Sequence, residues 1–209
     1  MKNNSKEIMP ILDEYIENPK CTLEFNKDYE LLIATMLSAQ TTDARVNIVT
    51  KELFSKYDIY DLAKLEPSDV YEIIRPVGNG SKKSIYLISI AKSLVENYDG
   101  HVPQDRTYLE SLSGVGHKTA NVVLANLFNE PTFAVDTHVE RVSKRLNIAS
   151  DKDDVLTVEK KLMKYFPKDK WIKLHHQLLL FGRHFCKSQN PLCEGCKLKP
   201  YCKFKKCSK

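Results

Sequence analysis

Apolar residues recur at helical spacing along most of this chain, and this pattern limits the folds that it can adopt. The stretch 81–98 places Ile85, Ile88 and Val95 on one stripe, with Lys83 on the polar side. No segment combines strict apolar–polar alternation with the turn residues of a β-hairpin. Comparable patterns predict further helices over 31–37, 43–57, 68–75, 105–112, 117–129, 137–146, 154–165 and 170–184. The sequence therefore predicts an all-α fold of roughly ten short helices.

Size and composition indicate an ordinary globular protein. The chain has 209 residues, of which 42% are hydrophobic, and this content suffices for one good core or two small ones. The N-terminal residues lack the apolar segment of a secretory signal, and no apolar stretch approaches the ~18 residues that span a bilayer. We therefore expect a cytoplasmic protein without membrane contact, in which cysteines stay reduced.

Positive charge is concentrated at the C-terminal end. The net charge is +5, yet residues 186–209 alone carry seven lysines and one glutamate, so the preceding part is slightly acidic. Such a block is consistent with contact to a polyanion. Charge alone favours the simpler interpretation, a solvated lysine-rich tail.

A glycine-rich turn between two predicted helices indicates DNA-backbone binding. The turn Gly114-Val115-Gly116 connects a helix that ends near Leu112 to one that begins near His117. Its glycines allow a sharp reversal and a close backbone approach, and the next helix start presents unpaired N–H groups to a phosphate. A bare Gly-x-Gly is also typical of an ordinary tight turn between helices. The longer string through Lys-Thr-Ala favours a helix-hairpin-helix that grips DNA without reading bases.

The same string resembles the helix-hairpin-helix glycosylase superfamily and, within it, the endonuclease III family. The resemblance runs from about Tyr29 to Cys202. It implies that Lys118 is the catalytic nucleophile and that Asp136, in the string Val-Asp-Thr-His, is its partner. Taken alone, Lys118 could be a solvated lysine, and Asp136 a helix N-cap.

The chemistry of the two residues suits these implied roles. A lysine amine must be neutral to attack a sugar, although its ordinary pKa is about 10.4. We expect Lys118 to lie in the first turn of a helix and to be partly desolvated. The positive end of the helix dipole and the loss of water both disfavour the charged form of the amine. Attack then yields a Schiff base and strand cleavage by β-elimination. Asp136 would stabilise positive charge on the sugar and help to deprotonate the lysine.

Four of the six cysteines lie within 17 residues and indicate a metal or cluster site. Zinc ribbons favour two separated Cys-x2-Cys pairs, whereas this segment has one such pair, so zinc fits poorly. Four thiolates equally suit a [4Fe–4S] cluster, and disulfides are the remaining alternative. The resemblance decides for a [4Fe–4S] cluster held by Cys186, Cys193, Cys196 and Cys202. No role is assigned to Cys21 or Cys207.

Two further residues correspond to positions that enter the DNA stack in this family. The resemblance implies that Gln40 fills the space left by the flipped base. Relatives place a bulky apolar residue just after the glycine that aligns with Gly78, whereas this chain has Asn79. Asn79 would bond the orphaned base rather than wedge like leucine. The predicted DNA-binding residues are Gln40, Asn79, Gly114, Val115, Gly116, His117, Thr119, His138 and Lys187.

The resemblance also implies the domain organisation. It predicts a six-helix domain over 21–130 with the hairpin at about 105–126, and an iron–sulfur domain built from 1–20 and 131–209. The cluster loop would span 186–202, and DNA would lie in a cleft between the domains. His175 and His176 are predicted to be core residues. The expected protein is a monomer that binds damaged double-stranded DNA.

The resemblance implies a bifunctional glycosylase and abasic-site lyase that acts on oxidised pyrimidines in base excision repair. A monofunctional glycosylase is one alternative, and Lys118 argues against it. A non-catalytic DNA-binding or redox-sensing module is another, against which the presence of both Lys118 and Asp136 speaks.

Overall fold

The structure, a computed structural model, describes residues 3–204, and all regular secondary structure in this range is helical. It contains eleven α-helices and three short 3₁₀ helices, and no residue in this range forms a β-strand. The α-helices are α1 (Ser5–Tyr15), α2 (Asp28–Leu37), α3 (Asp43–Lys56), α4 (Ile59–Leu62), α5 (Pro67–Ile74), α6 (Gly80–Tyr98), α7 (Arg106–Ser111), α8 (His117–Phe128), α9 (Thr137–Arg145), α10 (Val155–Tyr165) and α11 (Trp171–His184). The 3₁₀ helices are Arg75–Val77, Lys168–Lys170 and Lys199–Tyr201. The predicted all-α fold is confirmed.

The helices separate into two compact units. Cys21–Phe128 forms one of them, and residues 3–20 together with 129–204 form the other within the described range. Each unit has its own cluster of buried apolar side chains.

Helix α2 is the centre of the unit Cys21–Phe128. Its residues from Tyr29 to Leu37 are all buried, so the helix has no solvent-facing side over this stretch. It packs against α3, α6 and α8. A helix that is apolar on nearly every side is stable only when neighbours enclose it, and these helices do so.

The second unit is built around α11. Helix α9 packs closely against α11, α1 lies against another part of it, and α10 contacts α9. Fully buried residues from several of these segments, Ile8, Phe133, Val139 and Leu178 among them, form the core. The predicted burial of His175 and His176 on α11 is confirmed.

Most helix boundaries lie within one or two residues of the predicted ones, and the departures have local causes. Helix α2 begins three residues before the apolar run, because the Glu30 carboxylate accepts hydrogen bonds from the backbone N–H groups of Asn26 and Lys27 at 2.7 and 3.3 Å. Periodicity did not predict α1 or the four-residue α4.

The predicted faces of α6 were wrong at two positions. Lys83 is buried, whereas Ile85, assigned to the apolar stripe, is 55% exposed. The buried face instead runs through Ser84, Leu87 and Ala91. Hydrogen bonds of the Lys83 ammonium, described below, explain its burial. Within residues 3–204, no helix is both long and apolar enough to cross a bilayer.

The buried histidine of α11 predicts a pH-dependent stability. Burial lowers the pKa of His176 from 6.5 to about 4. The unfolded chain therefore binds a proton that the folded protein excludes, and stability falls as pH drops from 6.5 through 4. We expect His176 to contribute a loss of roughly 2.5 kcal/mol in unfolding free energy between pH 7 and 4.5. Urea unfolding of the wild type and the His176→Gln variant at several pH values measures this difference.

The matched control is His184→Gln, at the exposed C-terminal end of the same helix. This control should retain the wild-type pH dependence, whereas His176→Gln should show a shallower one. Identical pH dependence in all three proteins would contradict the assignment to His176.

Candidate functional site

The predicted hairpin is formed by α7, the turn 112–116 and α8. Val115 at the turn is buried in the apolar core, and its N–H donates to the Leu112 carbonyl at 3.0 Å. The Ala120 N–H donates to the Gly116 carbonyl at 3.0 Å and closes the first turn of α8. The buried valine and these backbone bonds hold the turn in one position.

The two glycines of the turn have different surroundings. Gly114 has a φ of +79°, and a Cβ at this position would collide with the Tyr86 ring. Gly116 is exposed, and a Cβ there would have no atom within 4 Å. Gly114 is thus required by the fold. Among residues 3–204, no atom near Gly116 requires a glycine there, and the missing side chain leaves its backbone accessible.

The side chain of His117 is engaged within the hairpin. Its Nδ1 lies 3.0 Å from Glu110 Oε1, and its Nε2 lies 3.3 Å from Asn121 Nδ2. Arg106 on α7 donates to Asn121 Oδ1 at 2.8 Å and to Glu110 Oε1 at 3.3 Å. This network ties α7 to α8. The ring of His117 therefore supports the hairpin, and its backbone N–H is the group at the helix start that suits a phosphate.

Lys118 is the second residue of α8, and its side chain is exposed. The expectation that this lysine is partly desolvated is wrong for the protein without DNA. Thr119, the next residue, is half-buried. The helix start places the amine of Lys118 at the surface beside the turn 112–116.

Asp136 is the N-cap of α9. Its Oδ1 accepts hydrogen bonds from the backbone N–H groups of His138 and Val139 at 2.9 and 2.8 Å. The N-cap interpretation is confirmed, and both bonds go to one oxygen. The carboxylate is half-buried, and capping leaves its second oxygen unused.

His138 packs against α11 at a glycine. A Cβ on Gly182 would lie 2.9 Å from the His138 Cβ, so only glycine permits this approach. Arg141 Nη2 lies 3.1 Å from His138 Nδ1 and donates to the Gly182 carbonyl at 2.8 Å. Burial is the main cause that lowers the pKa of His138, and the charge of Asp136 opposes it in part.

The four clustered cysteines line one small cavity in the second unit. The rest of the lining is mostly apolar and comes from α9, α11 and the C-terminal loop, with Val142, Leu146, Phe181, Pro191, Leu192 and Leu198. Cys186, Cys196 and Cys202 carry free thiols. Among residues 3–204, no group of three or more His, Cys, Asp or Glu side chains is arranged around a single metal ion.

The chemistry of this cavity fits a cluster with thiolate ligands. Arg145 Nη1 lies 3.3 Å from Cys186 Sγ and also donates to the Lys187 carbonyl at 2.7 Å. The guanidinium places a positive charge beside this sulfur. Sequence reasoning missed Arg145, because its partners lie more than 40 positions away along the chain.

The cluster loop itself carries little charge. Lys187 is exposed and is the only cation between Cys186 and Cys193. The Arg145 guanidinium lies over the Phe204 ring, 3.8 Å from its centroid, and this contact joins Phe204 to α9. Cys207 and the last lysines, from residue 205 on, lie outside the described residues.

Gln40 and Asn79 meet at the surface of the first unit. Asn79 Nδ2 donates to Gln40 Oε1 at 3.4 Å, and both side chains are exposed. Both residues have left-handed backbone angles, with φ of 60° and 53°. Such angles are uncommon for residues other than glycine and often mark functional segments. The two predicted DNA-stack residues therefore form one pair.

Comparison with known proteins places this arrangement in a family. The model of the HhH-GPD superfamily of base excision DNA repair proteins matches residues 33–168. The chain is 45% identical over 206 residues to endonuclease III of Bacillus subtilis (strain 168), an alignment that covers 96% of this chain and 93% of the relative. This chain belongs to the endonuclease III family. It is also 40% identical over 200 residues to endonuclease III of Escherichia coli (strain K12), with 95% and 94% of the two chains covered.

Solved structures of the endonuclease III family agree with this fold. A non-covalent endonuclease III–DNA complex superposes with a TM-score of 0.90 at 44% identity and covers 96% of this chain and 95% of that one. A trapped endonuclease III–DNA covalent intermediate gives a TM-score of 0.89 at the same identity, with 96% of both chains covered. A thermostable thymine-DNA glycosylase, 22% identical with a TM-score of 0.85, shares the fold.

The contrast between the two hairpin glycines predicts different effects of substitution on stability. Gly114→Ala should lower the unfolding free energy by about 1–3 kcal/mol, because it combines a positive φ with a collision against Tyr86. Gly116→Ala should change it by less than about 0.5 kcal/mol, because its Cβ would meet open space. Urea unfolding without DNA measures both values. Equal losses for the two variants would contradict the structural role given to Gly114.

Proposed function

We propose that this chain is a bifunctional DNA glycosylase and abasic-site lyase that excises oxidised pyrimidines from duplex DNA in base excision repair. The observation that carries the proposal is the exposed Lys118 amine at the start of α8, directly after the rigid turn 112–116. A DNA-binding element and a nucleophile are thus part of one hairpin. A lysine nucleophile favours this activity over that of a monofunctional glycosylase.

The hairpin would bind the DNA backbone. Gly116 has no side chain between its backbone and solvent, and the first N–H groups of α8 point toward an approaching phosphate. The positive end of the helix dipole adds to this attraction. Such contacts position DNA and carry no base specificity.

Lys118 would act as the nucleophile on the sugar. Its neutral amine forms a bond to C1′, and the bond from C1′ to the damaged base breaks as the base leaves with a proton. The sugar ring opens to a Schiff base with Lys118. Loss of the C2′ proton then expels the 3′ phosphate by β-elimination. The amine is exposed in the free protein, and bound DNA would exclude water from it.

The Asp136 carboxylate that caps α9 would also act in the reaction. The two cap hydrogen bonds hold the carboxylate in one orientation through Oδ1. A fixed negative charge stabilises the positive charge that develops on the sugar as the base departs.

Gln40 and Asn79 would occupy the gap that a flipped base leaves in the duplex. Their side chains already meet at 3.4 Å, so both can enter one gap together. Both amides offer donors and acceptors to the orphaned base. Filling the gap offsets part of the unstacking cost of a few kcal/mol.

The cysteine cavity would hold a [4Fe–4S] cluster. Cys186, Cys193, Cys196 and Cys202 supply four sulfur ligands around one apolar cavity. The bound cluster would act as a crosslink that orders the loop 186–202. Arg145 would hold the first ligand and the Lys187 backbone beside α9.

Borohydride trapping tests the proposed nucleophile. A duplex with one thymine glycol should give a covalent protein–DNA band with the wild type, because borohydride reduces the Schiff base. The Lys118→Gln variant should give no band and no strand cleavage, while it still binds DNA. The matched control Lys92→Gln removes an exposed lysine from α6 and should leave the band intact.

Each alternative outcome has a distinct meaning. A band only with a preformed abasic site would support the lyase activity and contradict the proposed specificity for oxidised pyrimidines. Trapping that persists in Lys118→Gln would show that Lys118 is not the nucleophile. DNA binding with neither excision nor trapping in the wild type would favour a binding module.

Substitution by asparagine separates the two roles of Asp136. Asn is also a good N-cap, so Asp136→Asn should change stability by less than about 1 kcal/mol. It should nevertheless slow base excision by about 100-fold or more, because the negative charge is lost. Asp154 caps α10 in the same way, and Asp154→Asn is the matched control. Equal excision rates for the two variants would contradict a catalytic Asp136.

Iron and acid-labile sulfide analysis tests the cluster. Protein purified without oxygen should contain about four of each per chain, as the cluster formula requires. Cys202→Ala should lose most of both, whereas Cys21→Ala, in the other unit, should retain them. Zinc in place of iron, or iron retained in Cys202→Ala, would show that the assignment is wrong.

A further inference from the structure

Lys83 is a buried lysine that the proposed chemistry does not use. It lies in the first turns of α6 and is 5% exposed. Burial lowers the pKa of its ammonium below the ordinary value. Removing a charge from water is costly, so a buried ammonium stays charged only where strong hydrogen-bond acceptors surround it.

Three backbone carbonyl groups are these partners. Lys83 Nζ donates to Leu37 O and Ala39 O at 2.8 Å each, and to Val77 O at 3.0 Å. A carbonyl oxygen only accepts, so three such contacts require three N–H donors. The ammonium has three and a neutral amine has two. Lys83 is therefore bound in its protonated form.

The three carbonyls belong to two chain segments that carry the base-flipping residues. Leu37 and Ala39 precede Gln40, and Val77 precedes Asn79 by two positions. We call 37–40 and 77–79 the flipping segments. Their tips, Gln40 and Asn79, have left-handed backbone angles, which persist only where surrounding contacts enforce them. One ammonium joins both segments immediately before these tips.

We propose that Lys83 is a positioning residue for base flipping, which clamps the two flipping segments together so that Gln40 and Asn79 enter the DNA stack as one unit. This inference rests on the proposed function and extends it. The clamp fixes backbone rather than side chains. It therefore sets where both amides stand before DNA binds.

The clamp should matter only where a base must be extruded from a pair. A paired lesion needs both amides in place to hold the gap open, whereas an unpaired lesion needs little help. Nicking of a preformed abasic site also needs no base extrusion. Loss of the clamp should therefore slow excision of a paired lesion selectively.

Single-turnover excision by Lys83→Met tests the clamp, because methionine keeps the apolar stem and removes every donor. The rate is measured on thymine glycol opposite adenine and on the same lesion opposite an abasic analogue. We expect the ratio of the paired to the unpaired rate to fall about tenfold, with nicking of a preformed abasic site within about threefold of wild type. The ratio compares two substrates with one protein sample, so partial misfolding cancels.

Two comparisons make the test specific. Lys92→Met, an exposed lysine on the same helix, should keep the wild-type ratio. In a Gln40→Ala/Asn79→Ala background, Lys83→Met should cause little further change in the ratio, because the clamp acts through those two residues.

The outcomes separate this inference from the proposed function. A wild type that excises neither lesion contradicts the function and the inference together. A wild type that excises both, with Lys83→Met slowing the two substrates equally, contradicts the clamp alone. Additive effects of Lys83→Met in the double-alanine background also contradict it.

Discussion

The first unit depends on the complete enclosure of α2. Residues Tyr29 to Leu37 have no exposed face, so the surrounding helices must close on all sides of them. This enclosure also buries the C-terminal end of α2, whose last carbonyl groups have no partner within the helix. The Lys83 ammonium meets this need at Leu37 and also binds the carbonyl groups of Ala39 and Val77, which lie outside α2. The donor that satisfies these buried carbonyl groups thus also binds the surface segments that carry Gln40 and Asn79.

One group that stabilises a helix in this protein is also the one that we propose acts in the reaction. Asp136 caps α9, and the cap bonds hold the carboxylate that the reaction would use. Glycines mark the places where two surfaces approach closely, with Gly114 against Tyr86 and Gly182 against His138. Lys118 is not enclosed by other residues in the free protein, where its side chain is exposed to water. Bound DNA would exclude this water.

The sequence predicted those features that depend on neighbours in the chain. Periodicity located most helices, and the Val115 turn and the Asp136 cap are local patterns that the structure confirms. The prediction for Lys83 failed because helical periodicity assigns every lysine to the exposed polar face of a helix. The three carbonyl groups that accept its hydrogen bonds lie 6 to 46 positions away along the chain. The partners of Arg145 were invisible to sequence reasoning for the same reason.

The sequence by itself determined the all-helical class, the hairpin, the family and the identity of the candidate catalytic and cysteine residues. These follow from short strings and spacings, since turn geometry, capping and sulfur ligation depend on a few adjacent residues. Only the tertiary structure decided that Gln40 and Asn79 meet, that four cysteines share one apolar cavity, and that a charged lysine is buried. Each of these depends on contacts between segments distant in the chain, which form only when the core closes around them.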